Sequence, residues 1–331
     1  MLFMPEVLLL NSVFDFITVT FISALIILSV LSLCFIFHLR LKSKSITHLQ
    51  GFNSLWTVRF LLVLFIFLWA ITELLRLPFF RHTYLNPFIP SFTVPQQANL
   101  CRVHIVLSLG FFEPAFLVIL LFLLNASTRK KTPNDTWAIT FVCITCLPTA
   151  TLQTLLIFFN PLENRVPALF KRTYMVLNDD LNNETVLCGY PFLNSILFAG
   201  FGIVYATWFL FSCWRVLSLV INKGLRARIY GLTITVLVGL PLQIVSLGFT
   251  VLWNPRQELY SVFSLLVFLG AFCCATVGEG ILVIKPISDA LDAGGSCCLW
   301  NHAGHDDSLR HNGSISLDHV ENRINAGEGC V

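Results

Sequence analysis

Charge is scarce in this chain. Asp, Glu, Lys and Arg make up only 12% of its 331 residues, about half of what a water-soluble domain carries. That is too little polar surface to coat a body standing in water. With a mean hydropathy of +0.78, a soluble enzyme, a nucleic-acid-binding domain and a disordered chain are all excluded as expectations. Cysteine is present but thin, and 11 in this length do not make a disulfide scaffold, although single pairs can bridge. Catalytic patterns are also missing: no Ser-His-Asp set, zinc-protease motif, P-loop or dinucleotide fingerprint stands on a span or loop. The expected protein is therefore not an enzyme and needs neither cofactor nor metal. A basic stretch at the start is absent too, since Glu6 and Asp15 but no Lys or Arg precede Phe16. A cleavable signal needs such a stretch, so the first apolar helix is expected to direct its own insertion.

What is abundant is apolar sequence, 56% of the chain, with Phe alone occurring 31 times. Crossing a bilayer core takes about 20 mostly apolar helical residues. Seven stretches qualify: Phe16–Leu39, Leu55–Leu75, Val103–Leu124, Trp137–Phe159, Pro191–Trp214, Ile229–Trp253 and Leu259–Ile284. Unbroken runs such as Phe60–Ala70 do not alternate as barrel strands do, so helices satisfy the backbone. The expected fold is all-α, a polytopic seven-helix membrane bundle over residues 1–285. Residues 286–331 read as a tail, a short juxtamembrane helix at Ile287–Leu291 followed by a polar, disordered segment. Pro87, Pro90 and Pro95 mark the connection before the third span as irregular.

Basic residues orient the bundle. Arg40, Lys42, Lys44, Arg129, Lys130, Lys131, Arg215, Lys223, Arg226 and Arg228 gather in tight connections on one side, and the opposite side has fewer, mixed with acids. The N-terminus is expected outside and the C-terminus in the cytoplasm. Asn183-Glu184-Thr185, a glycosylation sequon, then falls outside. Cys101 and Cys188, the only cysteines expected on that oxidising side, are expected to bridge.

Ionisable groups inside the spans are costly and so mark candidate sites. Glu113 lies ten residues into the third span, about 15 Å deep, and Pro114 after it frees a carbonyl and kinks the helix. Its carboxyl reads either as a ligand-binding or titrating group, or as a structural hydrogen-bond partner of a neighbouring helix. Gln153 and Gln243, each near a proline in its span, join it as ligand-binding candidates. Arg59 and Glu279, at similar depth near the cytoplasmic end, are expected to pair, with Gly278 and Gly280 allowing close approach. That pair reads as a lock, as a static bridge, or as an Arg snorkelling to the interface. Glu73, Arg76, Arg102 and His104 cluster near the outer surface as interfacial anchors or as the lining of a ligand entrance. Lys223, Arg226 and Arg228 either attract anionic lipid or dock a cytoplasmic partner. Cys297 and Cys298 are S-acylation candidates.

Several strings carry a resemblance. They are Phe52-Asn53-Ser54-Leu55-Trp56-Thr57-Val58-Arg59, Thr72-Glu73-Leu74-Leu75-Arg76-Leu77-Pro78, Leu107-Ser108-Leu109-Gly110-Phe111-Phe112-Glu113-Pro114, Asn183-Glu184-Thr185-Val186-Leu187-Cys188, Ser212-Cys213-Trp214-Arg215-Val216 and Gly278-Glu279-Gly280-Ile281-Leu282-Val283-Ile284-Lys285-Pro286. Together they resemble the plant candidate G-protein-coupled-receptor family that includes the phytomelatonin receptor. The resemblance covers all seven spans and fades in the tail. It implies a multi-pass plasma-membrane receptor, an indoleamine ligand such as melatonin, and a heterotrimeric G-protein α subunit as partner. The placement of Cys101 and Cys188 is also similar to that in rhodopsin-like receptors, but the third span lacks an acid-Arg-aromatic triplet and the seventh lacks Asn-Pro-x-x-Tyr. Two alternatives stay open, a proton-coupled transporter using Glu113 and a non-catalytic membrane scaffold.

Overall fold

The computed structural model describes residues 4–43, 55–81, 93–126, 135–159, 167, 172–178, 184–220, 223–253 and 257–289. Met1–Ile287 form one compact unit and Ser288–Val331 a second. Pro87, Pro90, Asn183, Cys297 and Cys298 lie outside the described residues.

Among the described residues, seven helices are long and apolar enough to cross a membrane. We number them α1 (Met4–Ser43), α2 (Trp56–Arg76), α3 (Val94–Ile105 and Glu113–Ala126, joined by a π-helical stretch Val106–Phe112), α4 (Asp135–Thr154, ending in a π-helical Leu155–Phe159), α5 (Phe192–Leu219), α6 (Lys223–Leu252) and α7 (Glu258–Glu279, ending in a π-helical Gly280–Ile284). The chain is thus a multi-pass helical membrane protein. Apolar side chains that no core takes up, among them Ile27 on α1, Ile144 on α4 and Phe211 and Trp214 on α5, are exposed on its flanks. In water such a surface would aggregate; facing lipid it costs nothing.

The helices close into a ring. α1 touches α2 and α7, α2 touches α3, α3 touches α4 and α5, α5 touches α6, and α6 touches α7. α3 is the most enclosed: from Glu113 to Leu124 every side chain but Phe122 is buried. Two glycines set how closely α6 and α7 meet. A Cβ on Gly270 would stand 2.8 Å from the Gly239 carbonyl oxygen and 2.8 Å from Gln243 Cβ, so the two backbones touch there. We expect Gly270→Ala to cost about 1–3 kcal/mol through overpacking. Gly248, with nothing within 4 Å of its would-be Cβ, serves as the control. Gly248→Ala should match or slightly exceed wild type in thermal unfolding, because Ala is the better helix former.

Three local features depart from the sequence reading. α3 begins at Val94, nine residues before the expected Val103, because Thr93 and Gln96 form a reciprocal capping box and Pro95 sits in the first turn, where no backbone N–H is needed. Lys223, Arg226 and Arg228 are not in a loop but on the first turns of α6. The connection between α5 and α6 is correspondingly short. The third departure is an antiparallel hairpin of β1 (Tyr174–Asn178) and β2 (Glu184–Cys188), which pairs Tyr174 with Cys188 and Asn178 with Glu184. Cys188 is disulfide-bonded to Cys101 in the opening segment of α3. Cys101, Val186 and Cys188 then form a small core with Val94, Tyr174 and Val176 against it. The hairpin is held at one end of the bundle, the disulfide end.

Candidate functional site

Pro114 shapes the middle of α3. Having no N–H, it cannot bond the carbonyl of Gly110 four residues back. The helix widens into its π-helical stretch immediately before Glu113, and Thr149 Oγ1 of α4 donates to the freed Gly110 oxygen at 3.0 Å.

The widened turn presents Glu113 to two neighbouring helices, α2 and α6. Trp69 Nε1 of α2 donates to Glu113 Oε1 at 3.1 Å and to Ser108 Oγ at 3.0 Å. Ser108 Oγ lies 2.8 Å from Glu113 Oε1 and 3.1 Å from Glu73 Oε1. Gln243 Nε2 of α6 donates to Glu113 Oε2 at 2.5 Å. Glu113, Glu73, Ser108, Gln243 and Trp69 are all buried. The Trp69 ring stacks on Phe268 of α7, 5.8 Å between centroids and 10° between planes, and meets Phe116 edge-on. A polar hub walled by aromatic rings therefore ties α2, α3 and α6 together, and the stack adds α7. In low dielectric each of these bonds is strong, and each would be costly to leave unmade.

From the hub, polar contacts run toward the disulfide end. Arg76 Nε is 3.0 Å from Glu73 Oε2, and His104 Nε2 is 3.5 Å from Glu73 Oε1. Arg76 also donates to Ser264 Oγ of α7 at 2.9 Å and lies over the Tyr190 ring at 5.7 Å. Arg81 donates to the Val186 carbonyl of β2, and the Tyr260 hydroxyl donates to the Cys188 carbonyl at 2.8 Å. Asp15 of α1 is within electrostatic reach of Arg76 and Arg81. Burial, reinforced by Arg76, brings the Arg81 guanidinium down to about 10, with Asp15 pulling the other way. It stays charged at neutral pH. Burial likewise pushes the Tyr190 hydroxyl well above its ordinary range, so it stays neutral.

Glu73, Arg76 and His104, read as possible interfacial anchors, are instead buried inside the bundle under the hairpin. Arg102 is the outlying member, half-buried with its guanidinium 5.9 Å from the Tyr174 ring.

The other expected site residues scatter. Gln243 joins Glu113, but Gln153 does not. Its Nε2 donates to the Asn194 carbonyl at 3.1 Å and its Oε1 accepts from Asn194 Nδ2, which makes it a clasp between α4 and α5. The π-helical turn of α3 sets Gly110 against Gln153 Cβ, where an added Cβ would come within 3.2 Å. Arg59 and Glu279, expected to pair, are both buried, Arg59 on α2 and Glu279 on α7. Glu279 Oε2 accepts from Ser29 Oγ of α1 at 3.2 Å, and α7 packs against α1. Gly278 fits the expectation of close packing, since a Cβ there would meet Leu120 Cδ2 at 2.5 Å; Gly280 does not, having nothing within 4 Å. Of the α6 cations, Lys223 and Arg226 are exposed and Arg228 is half-buried, with Arg226 reaching the Tyr230 hydroxyl at 3.4 Å.

Fold and site together define a multi-pass helical membrane protein with a buried carboxyl hub beneath a disulfide-anchored hairpin. The chain belongs to the family described as Uncharacterised conserved protein UCP031277, whose profile matches residues 4–296. No curated protein matches it.

Proposed function

We propose that this protein is a seven-helix plasma-membrane receptor, with its N-terminus outside and its C-terminus in the cytoplasm. A small molecule binds toward the Glu113 hub, and the signal passes to a heterotrimeric G-protein α subunit. The observation that carries this reading is the hub itself. A ligand that competes for Glu113 or Gln243 changes bonds on α2, α3 and α6 at once, and such differential contact is what shifts a helical bundle between two states. The disulfide supports the orientation, because it forms on an oxidising face. The basic residues at the start of α6 stand at the opposite end, where the cytoplasm collects them and where Lys223, Arg226 and Arg228 offer a docking surface. An indoleamine such as melatonin is the ligand class the family resemblance suggests, and an indole suits the aromatic wall of Trp69, Phe116 and Phe268. Asn183 is the glycosylation site of this reading, and Cys297 and Cys298 its S-acylation sites.

The test uses purified full-length protein in detergent with a cognate Gα. Melatonin should raise nucleotide exchange by about ten-fold, as a typical coupling free energy allows, and Glu113→Gln should blunt the response. An exchange rate that no indoleamine changes, on any cognate Gα, would contradict it.

One observation favours a second reading, proton-coupled transport. Ser108 has a single hydroxyl hydrogen, yet its oxygen stands within hydrogen-bond distance of two carboxyl oxygens. The set is complete when one carboxyl carries a proton and gives it to Ser108 while Ser108 gives its own to the other. A mid-bilayer carboxyl joined to a second through a hydroxyl is a proton-relay arrangement. Uptake of solute into proteoliposomes driven by a pH gradient, and abolished by Glu113→Gln, would replace the receptor reading with this one.

A further inference from the structure

A cavity of about 980 Å³ opens on the flank of the bundle, at the end away from the disulfide. It does not reach the hub. Its floor is the last turns of α3, its walls the opening of α4 and the second half of α5. Trp137, Phe141, Ile203, Val204 and Trp208 make those walls, and Phe122 lies on the floor. Ile203, Val204, Trp208 and Phe211 are more than half bare toward the surroundings. In a bilayer this groove opens sideways into lipid, so a soluble metabolite would have to cross the acyl region to reach it.

Apart from Thr207, whose hydroxyl donates to the Ile203 carbonyl of its own helix at 2.8 Å, its hydroxyl and amide groups lie at one end. Asn125 Nδ2 donates to the Leu121 carbonyl at 3.1 Å and to Ser212 Oγ at 3.3 Å on the floor. Arg215, one turn beyond Phe211, is the only ionic group in the lining. It is exposed. Among the described residues, no acidic side chain lines the groove. The arrangement is an apolar slot with a hydroxyl and an amide at its head and the Arg215 guanidinium beyond. That is the sequence of chemistries along a phospholipid, from acyl chain to ester region to phosphate.

We propose that this groove is a binding site for an anionic phospholipid of the leaflet opposite the disulfide. Its acyl chain lies along the α4 and α5 walls, its ester region meets Asn125 and Ser212, and its phosphate pairs with Arg215. The proposal does not depend on the receptor reading, because it uses none of the hub.

The test is native mass spectrometry of the full-length protein, released from micelles holding equal amounts of phosphatidylglycerol and phosphatidylcholine with matched chains. Retention of phosphatidylglycerol should exceed that of phosphatidylcholine by about five-fold, as one interfacial cation contributes. Arg215→Gln should bring the two lipids to parity. Val204→Trp fills the slot from an exposed position that tolerates bulk and should lower retention of both. Gly248→Ala, outside the groove and with nothing within 4 Å of its would-be Cβ, should leave the ratio as in wild type. Equal retention of the two lipids by the wild type overturns the proposal. So does an anionic preference that survives Val204→Trp at full occupancy, which would assign the preference to surface cations alone. A lipid-free dimer dissociated by Val204→Trp would give the groove to a second copy of the chain and overturn it as well.

Discussion

Glu113→Ala is expected to lower the thermal midpoint by roughly 10 °C. The substitution removes the acceptor of Gln243 Nε2, one of the two acceptors of Trp69 Nε1 and one partner of Ser108. All three groups stay buried, and orphaning Gln243 Nε2 costs about 1–3 kcal/mol. With the weakened bonds of Trp69 and Ser108 and the space left by the lost side chain, the sum is about 3–5 kcal/mol, and a chain of this size shifts by about 2–4 °C per kcal/mol. Glu113→Gln separates the contribution of shape from that of charge. The carboxamide still accepts from Trp69 but turns an NH₂ toward Gln243, so Gln243 must flip to present its oxygen instead. We expect a loss of only about 1–2 kcal/mol. Adding Gln243→Glu restores a carboxyl–amide pair with polarity reversed, and the double-mutant cycle should show at least about 1 kcal/mol of favourable coupling. Thermal unfolding of the five proteins, wild type, Glu113→Ala, Glu113→Gln, Gln243→Glu and the double variant, in one detergent reads all of this. An Ala variant that melts with the wild type would mean that the hub contributes nothing to the bundle.

Removing the disulfide is the second large effect. Cys101 and Cys188 are 87 residues apart, and in the chain-entropy account closing such a loop stabilises by about 4 kcal/mol. The consequence reaches past the tether. The hairpin strand that carries Cys188 also receives bonds from Arg81 and Tyr260, and beneath it lie Glu73, Arg76 and His104. Freed at that point, the hairpin admits water to the buried ionic set. We therefore expect the Cys101→Ser, Cys188→Ser double variant to melt well below wild type. Reductant should lower the wild-type midpoint toward the same value and leave the variant unmoved. Protease should also cut the 160–190 connection faster in both reduced forms. Midpoints that reductant leaves unmoved would show that the bridge is dispensable.

The helices were legible because length and apolarity alone decide them. The start of α3 was not: Gln96, Gln97, Asn99 and Arg102 make that stretch polar, and Pro95 reads as a breaker until the Thr93 cap places it in a first turn, where proline is welcome. The hairpin was readable in principle. Tyr174-Met-Val-Leu and Thr185-Val-Leu flank a cluster of Asn and Asp, which is a hairpin pattern, but runs this short carry a far weaker signal than the long apolar spans around them. Site residues divide by what depth can and cannot determine. Counting along a helix finds Glu113 at mid-span, and two carboxamides in apolar spans stand out as Gln153 and Gln243. Which way each side chain turns around its helix axis is set by packing among all seven. Gln243 turns to Glu113 while Gln153 turns to Asn194, and Glu279 accepts from Ser29 of α1. Ser108 and Trp69, indispensable to the hub, had no signal in sequence beyond a hydroxyl and an indole in apolar surroundings.

The account rests on seven crossings with the hairpin end outside. Small epitope tags on the two termini, probed on intact and then permeabilised cells, test that directly. The N-terminal tag should stain on intact cells and the C-terminal tag only after permeabilisation. Both tags staining under the same condition would require an even number of crossings and would contradict the architecture.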